Sequence, residues 1–179
     1  MNKIQLKDKE FQIYLHYEQI YQSVQRIAAQ INRDYEGAET PLFLSILNGA
    51  FMFTGDLFKE LRINTELSFV KYASYQGMSS SGDVKQLIGL NEDLANRHVI
   101  VLEDIVDSGL TIRVISEQIQ ALNPKSLKIA SLLLKPDVYQ ETIPLDYVGL
   151  EIPNDFIIGY GLDYDGLGRN FKDIYQVVE

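Results

Sequence analysis

Three acidic side chains crowd the end of one hydrophobic segment. In the stretch HVIVLEDIVDSGLTI (residues 98–112), the apolar run 99–102 is followed by Glu103 and Asp104, and then by Asp107. An apolar run of this kind is typical of a strand buried on both faces. Like charges so close together are costly unless they meet water, a cation or a hydroxyl-rich ligand. The stretch therefore predicts a site for a metal ion or a polar ligand.

The next residues, DSGLT (107–111), lie between this strand and a helical pattern. The turn could simply cap the helix through Asp107 or Ser108. Capping explains one acid, but it does not also explain Glu103 and Asp104. Amides and hydroxyls at a helix N-terminus also form a ready phosphate site, and the two preceding acids suit ribose hydroxyls or a Mg²⁺ bound to them. We therefore favour a ligand-binding role over capping alone.

The predicted elements place these residues at one edge of a sheet. Helices are predicted over about 16–34 and 49–62, and across Ile112 to Leu122. Strands are predicted over 41–47, 65–75, 84–90, 98–105, 126–135, 147–152 and 156–164. Strands that alternate with helices imply βαβ units around a largely parallel sheet, and 179 residues fit a single domain, 1–179. In such sheets, ligands bind at the carboxyl ends of the strands.

The composition narrows the class of partner. Sixteen Lys and Arg against 25 Asp and Glu give a net charge of -9, which argues against a nucleic-acid partner. A small phosphorylated substrate remains compatible, because amides and a metal ion can hold it. With no cysteine, disulfides, thiolate catalysis and Cys-based zinc sites are absent.

No segment approaches the ~20 apolar residues of a membrane span, and the first residues do not have the pattern of a signal peptide. We expect a cytoplasmic protein with no membrane partner.

The segment VIVLEDIVDSGLT (99–111) resembles the phosphoribosyl-diphosphate (PRPP) signature of type I phosphoribosyltransferases. From about Leu42 to the end, the chain is similar to hypoxanthine-guanine phosphoribosyltransferases. The resemblance implies an α/β protein with the type I phosphoribosyltransferase fold. That fold is a mostly parallel twisted sheet flanked by helices, with a small base-binding hood formed by the chain ends.

The resemblance also implies roles at the PRPP end of the site. Glu103 and Asp104 would bind the ribose hydroxyls and a Mg²⁺ cofactor, and Asp107 would lie near N7 of the purine as general base or proton partner. The predicted 5′-phosphate site consists of Asp107, Ser108, Gly109, Leu110 and Thr111.

Two further segments match the family around pyrophosphate. LNGAFMF (47–53) is similar to the pyrophosphate loop, in which a non-proline cis peptide aims amides at the ligand; here it would join Leu47 and Asn48. Asn48 and Gly49 would bind pyrophosphate together with Arg169, although the family commonly has Lys or Arg where this chain has Asn48. Residues 74–83 resemble the family's mobile lid, whose Ser-Tyr pair matches Ser74 and Tyr75.

The predicted base pocket lies later in the chain. Lys135 matches the lysine that donates to the purine 6-oxo group, Tyr147 the aromatic residue that stacks on the purine, and Val148 the residue whose backbone reads the base edge. Asn154 stands where many relatives carry an Asp near a second Mg²⁺.

The implied reaction transfers the phosphoribosyl group of PRPP to hypoxanthine or guanine. One alternative is the same chemistry on another base, such as xanthine or adenine. The other is a regulator with this fold that binds nucleotides and RNA without meaningful catalysis; the acidic balance and the intact Asp107 disfavour it. The resemblance also implies a homodimer or homotetramer.

Overall fold

The computed structural model describes residues 3–74, 84–88 and 92–178. In chain order, the elements are β1 (Lys3–Leu6), β2 (Lys9–Leu15), α1 (Tyr17–Asp34), β3 (Leu42–Leu47), α2 (Phe51–Glu60), β4 (Glu66–Ser74), β5 (Val84–Ile88), β6 (His98–Val106), α3 (Leu110–Gln120), β7 (Ser126–Leu134), β8 (Tyr147–Glu151), β9 (Ile157–Ile158) and β10 (Ile174–Val177).

Six strands form the main sheet, in the order β5-β4-β3-β6-β7-β8. Every neighbouring pair is parallel except β4 and β5, which are antiparallel. The central strands β3 and β6 are apolar on both faces because helices cover both sides of the sheet. The prediction of an α/β fold with a mostly parallel sheet is confirmed.

Helices α1 and α2 pack on one face of the sheet, and α3 packs on the other. The apolar residues of α1 at helical spacing, such as Ile20, Ile27 and Ile31, join Phe43 in one core cluster. On the opposite face, Ile115 of α3 packs in a second cluster with residues of β3 and β6. Each fully buried side chain of this size stabilises the fold by roughly 1.5–3 kcal/mol, so the helices hold the carboxyl ends of the strands in fixed relative positions.

A second, four-stranded antiparallel sheet has the order β1-β2-β10-β9. It brings the two ends of the chain together and thereby forms the predicted hood. The prediction of a strand over 156–164 that completes the main sheet is wrong, because the strand spans only Ile157–Ile158 and belongs to the hood. Positive φ angles at Gly159, Tyr160 and Gly161 turn the chain immediately afterwards.

Two remaining expectations concern the lid and the membrane. Ser74 is the last residue of β4, whereas Tyr75 and residues 76–83 of the predicted lid lie outside the described residues. In the part of the chain that the structure describes, no helix is both long enough and apolar enough to cross a membrane.

Candidate active site

A cavity of about 350 Å³ opens at the carboxyl ends of the central strands. It is lined by Asn48, Gly49, Asp104, Ile105, Asp107, Lys135, Asp155, Phe156, Ile157, Leu162, Asp163 and Arg169. Six of these were predicted as site residues from the sequence: Asn48, Gly49, Asp104, Asp107, Lys135 and Arg169. A larger cavity of about 450 Å³, lined by residues of α3, β7 and 141–144, contains none of the predicted residues. We therefore take the smaller cavity as the candidate active site.

The turn after β3 forms one wall of this cavity. The peptide bond between Leu47 and Asn48 is cis, as the resemblance implied. A Cβ atom on Gly49 would lie 1.6 Å from Asp104 Oδ2, so glycine is needed for the acidic side chain to pack against the turn. Gly161 approaches from the other side, where an added Cβ would lie 2.0 Å from the carbonyl oxygen of Gly49. The backbone at Gly49, the backbone at Gly161 and the side chain of Asp104 therefore meet here in close contact.

The two acids at the end of β6 are held in an unfavourable setting for charge. Burial raises the pKa of Asp104 to about 6, even though the amide of Ile105 donates a hydrogen bond to its carboxylate. Burial, together with the nearby Asp104, raises the pKa of Glu103 well above its usual range. Glu103 is not among the cavity-lining residues, and its Oε2 atom is buried with no hydrogen-bond partner among the described residues. Perturbed buried acids in a cleft are typical of a functional site.

Residues 107–109 form the turn between β6 and α3, and Leu110 and Thr111 begin the helix. Gly109 precedes the helix with a φ of +88°, and an added Cβ would lie 2.6 Å from the ring of Tyr139. This glycine therefore lets the turn pack closely under the loop after β7. Asp107 lines the cavity, whereas Ser108, Gly109, Leu110 and Thr111 lie beside it at the start of α3.

Lys135 projects its ammonium group between two oxygen acceptors. Its Nζ atom donates to Asp107 Oδ2 at 3.3 Å and to Asn154 Oδ1 at 3.2 Å. Lys135 is only 7% exposed, although Asp107 and Asn154 are exposed. A buried ammonium group needs such partners because desolvation of an unpaired charge is costly.

Arg169 also lines the cavity. Its guanidinium donates to the carbonyl oxygen of Gly161 at 2.7 Å and forms an ion pair with Asp163 at 2.6 Å. Its positive charge also lowers the pKa of Asp104, although burial outweighs this effect. The guanidinium of Arg169 therefore lies close to the carboxylates of Asp104 and Asp163.

The structure does not bring Tyr147 and Val148 to this cavity, which corrects their prediction as base-binding residues. Tyr147 begins β8, at the amino edge of the sheet, about 13 Å along the strand from its carboxyl end, and Val148 follows it. Tyr147 is 2% exposed, and its hydroxyl donates to Asp34 at 2.6 Å. It is therefore a core residue that links the sheet to α1.

Sequence reasoning missed Phe156, Ile157, Leu162 and Asp163, which line the cavity. The prediction of a strand over 156–164 obscured them. Two glycines within three residues, in the sequence GYG (159–161), signal a turn and would have ended that strand early.

The structure does not bring Asn154 into the cavity lining. Its side chain accepts a hydrogen bond from Lys135 and is not part of the cavity lining. The additional carboxylates in the cavity lining are those of Asp155 and Asp163.

The donor set of the site suits a hard cation. Asp104 and Asp163 offer carboxylate oxygens in the cavity lining. Glu103 precedes Asp104 on β6, and its buried Oε2 atom has no hydrogen-bond partner among the described residues, but it lies outside the cavity lining. Mg²⁺ is commonly held by one or two protein carboxylates, with substrate phosphates and water as the other ligands. The residues therefore fit a magnesium ion that arrives with a phosphorylated substrate. A three-residue group within metal-binding distance, His16, Glu18 and Asp173, lies outside this cavity at the start of α1.

Comparison with known proteins gives the class of protein to which this fold and site belong. Residues 12–165 match the phosphoribosyl transferase domain family. The match covers the main sheet, α1 to α3 and most of the cavity-lining residues. The chain therefore belongs to the phosphoribosyl transferase family.

Individual relatives narrow the family further. A hypoxanthine-guanine phosphoribosyltransferase of Mycobacterium tuberculosis is 39% identical over 171 residues, which cover 92% of this chain and 83% of the relative. A hypoxanthine phosphoribosyltransferase of Escherichia coli is 36% identical over 157 residues, covering 87% and 88%. A solved hypoxanthine-guanine phosphoribosyltransferase of Bacillus anthracis is 35% identical, with a TM-score of 0.88 and coverage of 97% of this chain and 100% of that one. These similarities confirm the sequence-based identification with hypoxanthine-guanine phosphoribosyltransferases, which are transferase enzymes.

Proposed function

We propose that the protein transfers the 5-phosphoribosyl group of PRPP to N9 of hypoxanthine or guanine, which gives IMP or GMP and releases pyrophosphate. The observation that carries this proposal is the pairing of Lys135 with Asp107 in the same cavity as Gly49, Asp104 and Arg169. A purine needs a donor and an acceptor such as Lys135 and Asp107. A pyrophosphorylated sugar needs groups such as Gly49, Asp104 and Arg169 next to them.

The proposed base site uses the Lys135 side of the cavity. Lys135 would donate to the 6-oxo group, and Asp107 would accept or hold the proton at N7. The half-exposed ring of Phe156 lines the same space and is the candidate to stack on the purine. Ile157 and Leu162 would complete the apolar surroundings of the ring.

The proposed PRPP site uses the Asp104 side. Asp104 and Glu103 would accept from the ribose hydroxyls, and the amides and hydroxyls of residues 107–111 would hold the 5′-phosphate at the start of α3. Arg169 and the amides of the turn at Asn48 and Gly49 would contact pyrophosphate.

The chemistry follows from where charge develops. When the bond from C1′ to the pyrophosphate oxygen breaks, positive charge grows on the ribose and negative charge grows on the leaving group. Arg169 and the amides near Gly49 would stabilise the negative charge. N9 of the purine then forms a bond to C1′, and Asp107 would take up or share the proton that the base must lose.

A Mg²⁺ cofactor is part of this proposal. Glu103, Asp104 and Asp163 would hold the ion directly or through water, and when bound it would supply further charge neutralisation at pyrophosphate. The carboxylates of Asp104 and Asp163 in the cavity lining support a ligand of this kind.

Purine turnover measured with Mg·PRPP tests the proposal. Hypoxanthine, guanine, xanthine and adenine are each supplied, and pyrophosphate release is followed together with nucleotide formation. Conversion of hypoxanthine and guanine supports the proposal, whereas exclusive use of xanthine or adenine contradicts the base assignment. Absence of turnover with every base contradicts the enzymatic function.

We also propose that the protein is a cytoplasmic homo-oligomer, either a dimer or a tetramer. Leu67 and Phe69, on the same face of β4, and Phe51 at the start of α2 are about 40% exposed, which is high for such large apolar side chains. In a solved Trypanosoma cruzi relative of 32% identity, with a TM-score of 0.88 and coverage of 98% and 95%, the C-terminal region has a role in the oligomeric state. Sedimentation of the purified protein tests this proposal, and a monomer at micromolar concentration would contradict it.

A further inference from the structure

Asp56 of α2 has a buried carboxylate that the proposed chemistry does not use. The residue is 7% exposed. Its Oδ2 atom accepts hydrogen bonds from the hydroxyl of Tyr160 at 2.7 Å and from the hydroxyl of Tyr17 at 3.2 Å. Its Oδ1 atom accepts from Lys59 at 2.8 Å. A buried carboxylate needs such donors, and removal of one of them leaves a polar atom less well satisfied inside the protein.

Tyr160 is held in an unusual backbone conformation. Its φ is +49°, in the left-handed region, and the residues on either side are glycines with φ angles of +95° and +100°. A bulky residue in this region is uncommon, because the conformation costs of order 1–2 kcal/mol and persists only where the surroundings enforce it. The side chain is 1% exposed and points its hydroxyl at Asp56. Burial and the hydrogen bond to Asp56 raise the pKa of Tyr160, so the hydroxyl remains a neutral donor.

The turn 159–161, which contains Tyr160, contacts both Arg169 and the turn at Gly49, the two parts of the site that we assign to pyrophosphate. The carbonyl oxygen of Gly161 accepts from Arg169 at 2.7 Å, and the amide of Gly161 donates to the carbonyl of Arg169 at 3.0 Å. Gly161 also packs against the carbonyl of Gly49 so closely that no Cβ would fit. A shift of this turn would therefore move Arg169 and the pyrophosphate turn together.

Asp56 is also connected to the turn at Gly49, through helix α2. Helix α2 begins at Phe51, two residues after Gly49, and the hydroxyls of Thr54 in α2 and Ser45 in β3 are hydrogen-bonded at 2.7 Å. These contacts form a closed loop of connections. It leads from Gly49 along α2 to Asp56, through the hydrogen bond to Tyr160, and from Gly161 back to Gly49. Because the hydrogen bond between Asp56 and Tyr160 closes this loop, it fixes the distance between Arg169 and the turn at Gly49.

We infer that Asp56 and Tyr160 are positioning residues, whose hydrogen bond sets Arg169 against the turn at Gly49 and so determines affinity for the pyrophosphate group. This inference rests on the proposed function. It predicts a loss confined to the pyrophosphate end of the site, because the hydrogen bonds of Asp56 and Tyr160 among the described residues do not involve Lys135 or Asp107.

The test is Tyr160→Phe, which removes one hydroxyl and keeps the ring. The affinity for Mg·pyrophosphate, measured by calorimetry, and KM for PRPP should both worsen by about 10- to 100-fold, since small misplacement of a binding group has effects of this size. KM for hypoxanthine should stay close to the wild-type value. Asp56→Ala should give the same pattern, and Asp56→Asn, which keeps an acceptor oxygen for Tyr160, should recover most of the affinity.

The matched control is Tyr21→Phe. The Tyr21 hydroxyl also donates to an acid of α2, Glu60 at 2.5 Å, but the hydrogen bonds of Glu60 among the described residues do not reach the turn 159–162. This variant should lose stability without losing pyrophosphate affinity. In addition, the double variant Asp56→Ala/Tyr160→Phe should be no worse than the poorer single variant, because the two residues act through one bond.

Two different results would contradict two different claims. If the wild type binds pyrophosphate and uses PRPP, but Tyr160→Phe keeps its pyrophosphate affinity or loses affinity for hypoxanthine equally, then the positioning role is wrong and the bond merely stabilises the fold. If the wild type neither binds Mg·pyrophosphate nor uses PRPP, then the proposed function itself is wrong.

Discussion

The ammonium group of Lys135 lies 3.3 Å from the carboxylate of Asp107 and donates a hydrogen bond to it. One group is a donor without acceptor capacity, and the other accepts when ionised. A 6-oxopurine presents O6 and N7 side by side on one edge. The lysine-aspartate pair is therefore a complementary reader of that edge, with the donor opposite O6 and the acceptor opposite the N7 proton.

Asp107→Asn should lower kcat by roughly 10²–10⁴, which is the range for loss of an acid-base group. The amide can still accept a hydrogen bond from Lys135, so the pocket should keep its shape and PRPP binding should change far less. Steady-state kinetics with hypoxanthine, together with PRPP titration, check both parts. Asp137→Asn, at an exposed aspartate on the same loop as Lys135 but outside the cavity lining, is the control and should be nearly silent. Equal small effects at both positions would mean that Asp107 has no chemical role.

Lys135→Met should remove much of the discrimination between purines. Opposite the 6-amino group of adenine, an ammonium group faces another donor, and an unpaired buried polar group costs about 1–3 kcal/mol, more when charged. The wild type should therefore disfavour adenine by at least ~10²-fold, at about 1.4 kcal/mol per tenfold. The variant should lose this gap chiefly through slower use of hypoxanthine and guanine. The measurement is kcat/KM for each base, and a wild type that prefers adenine would show that the base pocket is assigned incorrectly.

The sequence predicted the central part of this molecule well because its signals are local. The strand over 99–102, the three acids and the glycine-containing turn lie within thirteen residues, and β6 and α3 occur where the pattern indicates them. The spacing of Ile20, Val24 and Ile27 likewise predicted α1. Short-range periodicity determines elements of this kind.

The hood could not be predicted in the same way. Its strands β1, β2 and β10 come from opposite ends of the chain, and β9 has two residues, so pairing across 150 residues or more decides its structure. The same limit explains the misplaced Tyr147: an aromatic residue at the start of an apolar strand has one sequence pattern, whichever edge of the sheet it occupies. Asp34 and Lys128, its hydrogen-bond partners, are distant in sequence.

Phe156→Leu should weaken purine binding, because the leucine side chain cannot stack on a flat ring. Stacking of a base on an aromatic side chain is worth about 1–3 kcal/mol, so KM for hypoxanthine should rise roughly tenfold at 1.4 kcal/mol per tenfold. Affinity for PRPP alone should stay near the wild-type value. KM for hypoxanthine at saturating PRPP is the measurement that decides this.

Tyr147→Leu is the comparison variant for this prediction. It removes a buried ring at the amino edge of the sheet and a hydrogen bond to Asp34, so thermal stability should fall while KM for hypoxanthine stays unchanged. The opposite pattern, with KM raised by Tyr147→Leu and not by Phe156→Leu, would restore the assignment that the sequence suggested.

Asp104→Asn should make the ligand-free protein more stable at pH 7.5. Burial raises the pKa of Asp104 from 3.8 to about 6 in the folded state. Between these two pH values the folded protein binds more protons than the unfolded chain, so the contribution of Asp104 to stability falls as pH rises through this window. The full cost is present above pH 6 and is at most about 3 kcal/mol, from two pKa units at 1.36 kcal/mol each. Because 1 kcal/mol shifts the midpoint by about 2–4 °C for a chain of this size, Asp104→Asn should unfold several degrees above the wild type at pH 7.5 and close to it at pH 4.

The same variant should lose this advantage when ligand is present. A ligand that binds the folded state stabilises it by RT ln(1 + [L]/Kd), and the amide that Asp104→Asn introduces cannot offer the carboxylate proposed to bind the ribose hydroxyls and Mg²⁺. With saturating Mg·PRPP at pH 7.5, the wild type should therefore unfold at the higher temperature, which reverses the order seen in chelator-treated buffer. Thermal unfolding of both proteins in the two buffers measures the reversal. A wild type that is already the more stable protein without ligand would mean that the Asp104 carboxylate is satisfied by the fold and is not held ready for a ligand.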